Sequence, residues 1–259
     1  METAVPLPTE LVDLLAEALP NLSDKQRSLL SVDIAGLWWG LRTAVLIDCA
    51  TLEQSEAESL GVALRANHNY DLFVAFEPSS GQTLAINAEY AKSRWQGISF
   101  CTEVGGSEPV LLPKLPAPAC ALLASIRTLR GRGDPFVLLL PVSNPLDLVP
   151  AVGHLIDYMF PYAVSNEDGR NCLGGVELEV CEAFLTSRDS GRKHRLLSFS
   201  YPTQLCSGAS ARVSSELIKQ TMEALLSARL DEARGLYPEM RACAIEVMQS
   251  RRTMERVAL

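Results

Sequence analysis

Apolar positions along this chain recur in two rhythms, and each change of rhythm marks a change of element. Leu11, Leu14, Leu15 and Leu19 keep helical spacing until Pro20, so 8–20 reads as a short helix. Ser23 and Gln26 then stand at the spacing of a capping box, in which a hydroxyl and an amide satisfy free backbone donors at a helix start. The helix they open carries Leu29, Leu30 and Ile34 and ends near Gly36. Continuous apolar runs at 44–47, 72–76 and 136–140 have strand length, and strands apolar on both sides belong to a sheet covered by helices on both faces. The first run ends in Asp48. Within three residues it gives way to Thr51 and Gln54, a second capping-box spacing. In the helix that follows, Glu53, Glu56 and Glu58 suit the positive end and Arg65 the negative end. Leu60, Ala63 and Leu64 are its apolar stripe and Asn67 its stop.

Turn residues at 78–81 fold 72–90 into a hairpin, and 98–102 offers a further strand. The stretch 104–118 holds Gly105, Gly106, Pro109, Pro113, Pro116 and Pro118, too many breakers for regular structure, and reads as a linker or mobile flap. A helix is expected over 119–130, a turn over 131–135, and a helix over 145–160, kinked or restarted at Pro150. Strict alternation at 176–180 and again at 197–201 flanks the polar run 187–195, which predicts an antiparallel hairpin over 175–201. The chain then closes in a predicted helical pair. Val213, Leu217, Met222, Leu225 and Leu226 mark the first member; Met240, Ala244, Val247 and Met248 mark the second. The expected fold is α/β or α+β over one domain, 1–259. It has a mixed sheet of about five to seven strands with parallel central strands, helices on both faces and the helical pair packed across it.

Composition narrows the classes. The chain has 259 residues, 47% of them hydrophobic and 21% charged, enough apolar material for a large core. A net charge of -8 argues against a general phosphate-backbone binder, so no nucleic acid partner is expected. The amino-terminal residues have neither a basic nor an apolar signal region, and no apolar run approaches the ~20 residues of a spanning helix. Neither secretion nor membrane insertion is expected; the cytoplasm is, with the nucleus not excluded. Seven cysteines, none in a C-x-x-C pair, read as reduced thiols, and no metal or cofactor is implied.

No catalytic motif is complete. Asp48 and Cys49 place a carboxylate and a thiol at the carboxyl end of the first strand, the weak candidates for catalysis. The stretch 45–52 superficially resembles the nucleophile motif of haloacid-dehalogenase-like phosphatases, but it lacks the second Asp that would act as general acid/base. Ser143, Asn144, Pro145 and Asp147 resemble a segment of lactate and malate dehydrogenases, yet no glycine-rich phosphate turn precedes them. His68, His154 and His194 lie far apart, and Trp38 and Trp39, between two glycines, read as a core plug at a chain reversal. Arg188, Arg192, Lys193 and Arg195 form a basic hairpin tip, a candidate interaction surface for an acidic partner or a phosphate. Taken together, the stretches 29–33, 42–48, 171–178 and 196–202 resemble an uncharacterised animal open-reading-frame family carrying a domain of unknown function, which implies no activity or cofactor. The functional expectation is a non-enzymatic protein-interaction or adaptor domain with an unknown protein partner. The alternative is a hydrolase or transferase of unfamiliar type built on Asp48 and Cys49.

Overall fold

A computed structural model describes residues 7–66, 71–93, 100–105, 108–128, 137–140, 142, 144–165, 173–206 and 213–255. The fold is α+β with mixed sheets. Helix α1 (Thr9–Ala18) and helix α2 (Asp24–Trp38) lead to strand β1 (Ala44–Ile47), helix α3 (Gln54–Ala66), strands β2 (Leu72–Glu77) and β3 (Gln82–Asn87) and helix α4 (Ala88–Ser93). Strands β4 (Cys101–Val104) and β5 (Val110–Leu112), helix α5 (Ala117–Arg127), strand β6 (Val137–Leu139), helix α6 (Leu148–Leu155) and strand β7 (Tyr162–Val164) follow. The remainder is strands β8 (Glu177–Ser187) and β9 (Lys193–Pro202), helix α7 (Ser215–Leu236) and strand β10 (Cys243–Thr253).

Among the described residues the strands form three sheets, in the orders β1-β3-β2-β6, β5-β4-β7 and β10-β8-β9. The three apolar runs do share the first sheet and one direction. However, β3 lies antiparallel between β1 and β2, so direct parallel pairing there is confined to β2 with β6. That sheet is covered on both faces. Val45, Ile47, Val74 and Phe76 point into one core and Phe73, Ala75, Leu84 and Ile86 into another, as period-2 geometry requires. Glu77, buried at the hairpin corner, is held ionised at about 2: burial opposes its charge, but the amides and hydroxyls of Ser79 and Ser80 outweigh it.

Four local expectations change. Ser23 and Gln26 form their capping box, but α3 starts at Gln54, and the Glu53 amide donates to the Glu56 carboxylate instead of to a Thr51–Gln54 pair. The supposed flap holds β5, which pairs with β4, because strand hydrogen bonds satisfy Val110–Leu112 despite the neighbouring prolines. The second member of the C-terminal helical pair is strand β10, in full register with β8. Met240, Ala244, Val247 and Met248 fit a helical period, but Cys243 and Val247 also fit a period of two, and the open edge of β8 decides between them. The helix expected over 145–160 is a 3-10 turn, Pro145–Asp147, and then α6, which ends before Asp157. The expected stop at Asn67 and the turn at 131–135 fall outside the described residues.

The end of α6 positions much else. Asp157 has φ 69, the one positive φ of a non-glycine among the described residues, and the Tyr158 amide donates back to the Gly153 carbonyl at 3.0 Å. This is a Schellman-type helix end in which Asp stands where glycine is usual. The turn directs the buried carboxylate onto the Thr43 amide (2.8 Å) and hydroxyl (2.7 Å) and onto the guanidinium of Arg229 on α7 (3.1 Å). Arg229 also donates to the Leu41 carbonyl and packs over the Tyr90 ring. Arg42, 3.7 Å from Asp157, donates to the carbonyls of Ala44, Ile156 and Leu196. Two guanidiniums and one carboxylate thus tie α6, α7, β1 and β9 together inside the protein. Gly36 is small for this purpose, since a Cβ there would stand 3.0 Å from the Arg42 side chain. Asp157→Ala leaves two cations buried without their anion and is expected to cost about 3–5 kcal/mol of unfolding free energy in a denaturant titration. A loss below about 1 kcal/mol would mean that the carboxylate does not hold these elements.

Candidate functional site

Strand β1 is followed directly by Asp48, which is exposed, and Cys49, which is half-buried. Helix α2 runs beside this end and is tied to it by the Gln26 amide, which reaches the Cys49 carbonyl at 3.4 Å. Asp33 on α2 faces the same space. The opposite wall is the outer face of the β8–β9–β10 sheet, where alternation places Glu182 and Phe184 outward and Cys181, Ala183 and Leu185 inward. A register shift at Ala183/Phe184 skips Leu196 on β9, so that Arg195 faces outward while His194 turns in and is 3% exposed. The result is a cavity of about 580 Å³ between Asp33, Asp48 and Cys49 on one side and Glu182, Phe184 and 193–195 on the other.

The ionisation of these groups limits their chemistry. Burial of its carboxyl, although the residue has an open side, and the charge of Asp48 raise Asp33 to about 6, against the pull of Arg42 and Arg195. Burial, with the charges of Asp33 and Asp48, pushes the Cys49 thiol up. Burial and the charge of Arg42 lower His194 to about 4, so its imidazole is neutral at neutral pH. The His194 ring stands edge-on to Trp39 at 5.7 Å, its Nδ1 has no hydrogen-bond partner, and no bond joins it to Cys49 among the described residues. A protonated thiol and a neutral imidazole not bonded to each other do not make an activated nucleophile.

The charges divide unequally. Lys193 pairs with Glu246 at 2.7 Å and lies over the Phe184 ring, and Glu182 faces both Arg195 (3.7 Å) and Arg252 (3.8 Å). Asp33 and Asp48 have no cation within ion-pair distance among the described residues, so the unneutralised sign in the cavity is negative. Of the basic hairpin tip, Lys193 and Arg195 reach the space that Asp48 and Cys49 line; Arg188 and Arg192 sit exposed at the turn, outside it. Trp38 and Trp39 are 6% and 0% exposed, a core plug as expected. His154 is buried on α6, and His68 falls outside the described residues. Asp33, Glu182, Phe184 and His194 were not foreseen as neighbours of Asp48. The outward alternation of β8 was a usable signal for two of them, whereas a bulge that turns His194 inward leaves none.

Among the described residues no group of three or more His, Cys, Asp or Glu side chains is placed to hold a metal ion, and no helix is long and apolar enough to cross a membrane. No family model, no curated protein and no solved structure matches this chain.

The raised Asp33 carboxyl makes a pH-dependent prediction. Between the ordinary value of 3.8 and about 6 the folded state holds more protons than the unfolded state, so this group's contribution to stability falls as pH rises through that window. Asp33→Asn is therefore expected to stabilise the protein above pH 6 and to give a smaller gain near pH 4, read by denaturant titration at both values. An equal change at both would show that the carboxyl is not held in its protonated form.

Proposed function

We propose that this chain is a non-enzymatic protein-interaction domain that docks its partner on the outer face of the β8–β9–β10 sheet. The observation that carries the reading is an accessible apolar pair set among fixed charges. Half-buried Phe184 and Met248, 47% exposed, flank Glu182 and the Lys193–Glu246 pair, and the unneutralised Asp33 and Asp48 lie across the cavity. Apolar anchors inside a charged frame are how interfaces combine affinity with register. The partner's matching surface would present an apolar side chain and, toward Asp33 and Asp48, a basic one. The free cysteines among the described residues suit a reducing compartment, cytoplasmic or nuclear. Proximity labelling in cells tests the reading. Phe184→Glu with Met248→Glu is expected to lose partners that the wild type and Val62→Glu, on exposed α3, both retain. An unchanged partner set in the double variant would refute docking on this face.

A second reading, a hydrolase or transferase working through Cys49, draws support from the cavity that gathers Asp33, Asp48, Cys49 and His194. It requires a reactive thiolate near neutral pH. Peptide-resolved alkylation of Cys49 against pH is expected to keep rising beyond pH 9, following the raised thiol. A midpoint near neutrality would favour the enzyme.

A further inference from the structure

A second cavity, of about 450 Å³, adjoins the first along the same face. Strand periodicity places it there: Leu46 lines it, while Asp48, two residues on and on the same side of β1, lines the first, and Val180 and Glu182 repeat that relation on β8. Val152 and Ile156, from α6 and its end, close the far wall. The volume lies in the range of about 300–1,000 Å³ common for small-molecule sites, and the walls are mainly apolar, aliphatic and aromatic together.

Its few polar groups are placed to receive a ligand. Tyr162 is already committed, since its hydroxyl donates to the Ser200 carbonyl at 2.7 Å. Tyr158 and Ser198 line the cavity half-buried, and neither hydroxyl has a hydrogen-bond partner among the described residues. The Tyr158 ring is fixed against Phe199 at 5.6 Å, so its hydroxyl is held in place. Charge supplies an independent observation. Behind Ile156, Arg42 and Arg229 outnumber Asp157, which leaves a net positive charge sealed beneath the cavity, and Arg42 donates directly to the Ile156 carbonyl at 3.2 Å. Arg252 stands at the mouth, its side chain 57% exposed. Glu182 faces Arg252 at 3.8 Å but is shared with Arg195 at 3.7 Å, so in a chain of net charge -8 the cations gathered here outnumber the carboxylates paired with them.

We infer that this cavity binds a small amphipathic anion, with a carboxylate or similar head group. The apolar body lies between α6 and the sheet; the head group accepts from Tyr158 and Ser198 and faces Arg252. The inference is independent of partner docking, because the binding residues are those of the apolar cavity.

Calorimetric titration with decanoate, with decyltrimethylammonium as the matched cation, tests it on the full chain. Saturable one-to-one binding of decanoate is expected, with the cation at least about tenfold weaker. Arg252→Glu is expected to weaken decanoate by about tenfold or more, and Ser198→Phe, which fills the cavity from its open side, to abolish binding. Thermal melting checks that both variants fold; should Ser198→Phe melt early, Arg252→Glu and the head-group comparison decide. Absence of saturable binding, equal affinity for anion and cation, or decanoate binding indifferent to the folded variants would each overturn the inference.

Discussion

The carboxylate of Asp157 is the contact on which the arrangement of this protein depends. It lies where four parts of the chain converge: the end of α6, the approach to β1, the middle of α7 and, through Arg42, the bulge of β9. An unpaired ion there would cost several kcal/mol, so each element must arrive in one position for the polar groups to be matched. Aliphatic packing alone tolerates small slips. A carboxylate that must meet an amide, a hydroxyl and a guanidinium together does not. The left-handed backbone at Asp157 is part of the same constraint, since it turns the side chain back toward Thr43 instead of onward toward solvent.

From that junction the sidedness of the β8–β9–β10 sheet follows. Arg42 takes the Leu196 carbonyl, and Leu196 is the residue that the register shift leaves without a partner on β8. The bulge therefore has a hydrogen-bonding reason as well as a geometric one. Ahead of it, Lys193 and Arg195 face outward and His194 packs on Trp39. Beyond it, Leu197, Phe199 and Tyr201 return to the core. One unpaired residue on β9 thus decides which charges reach the cavity wall and which ring is sealed beneath it.

What could be read in the sequence is what depends on near neighbours. The capping box at Ser23, the covered strands at 44–47 and 72–76 and the hairpin over 175–201 each rest on spacing within a few residues, and each formed, to within two residues at its ends. Strand β10 escaped because its partner β8 lies far away along the chain, and its apolar spacing suits a helix as well as a strand. The site was half legible. Asp48 and Cys49 were marked by their place at a strand end, and Lys193 and Arg195 by the hairpin tip, but nothing local says that the two meet. Arg42, Asp157 and Arg229 were invisible for the same reason. Each is an ordinary charged residue until the fold brings the three together out of water.

The charges buried in the core and those left at the surface fit one economy. A surplus guanidinium inside the protein is tolerable because its two terminal nitrogens donate to backbone carbonyls, those of Ala44, Ile156 and Leu196, while its Nε, with no hydrogen bond, faces Asp157 at 3.7 Å. Its field does not stop at those carbonyls. It lowers His194 and opposes the rise of Asp33 on one side of the sheet face, and on the other it underlies Ile156 in the apolar cavity. Adjoining cavities on one face therefore differ in the charges set around them. The carboxylates of Asp33 and Asp48, without an ion pair among the described residues, line the first, and the buried Arg42 underlies the second with Arg252 at its mouth. A group needed to lock the fold also sets which charges each cavity can accept, so a substitution at Arg42 would reach both cavities even though it lies beneath them.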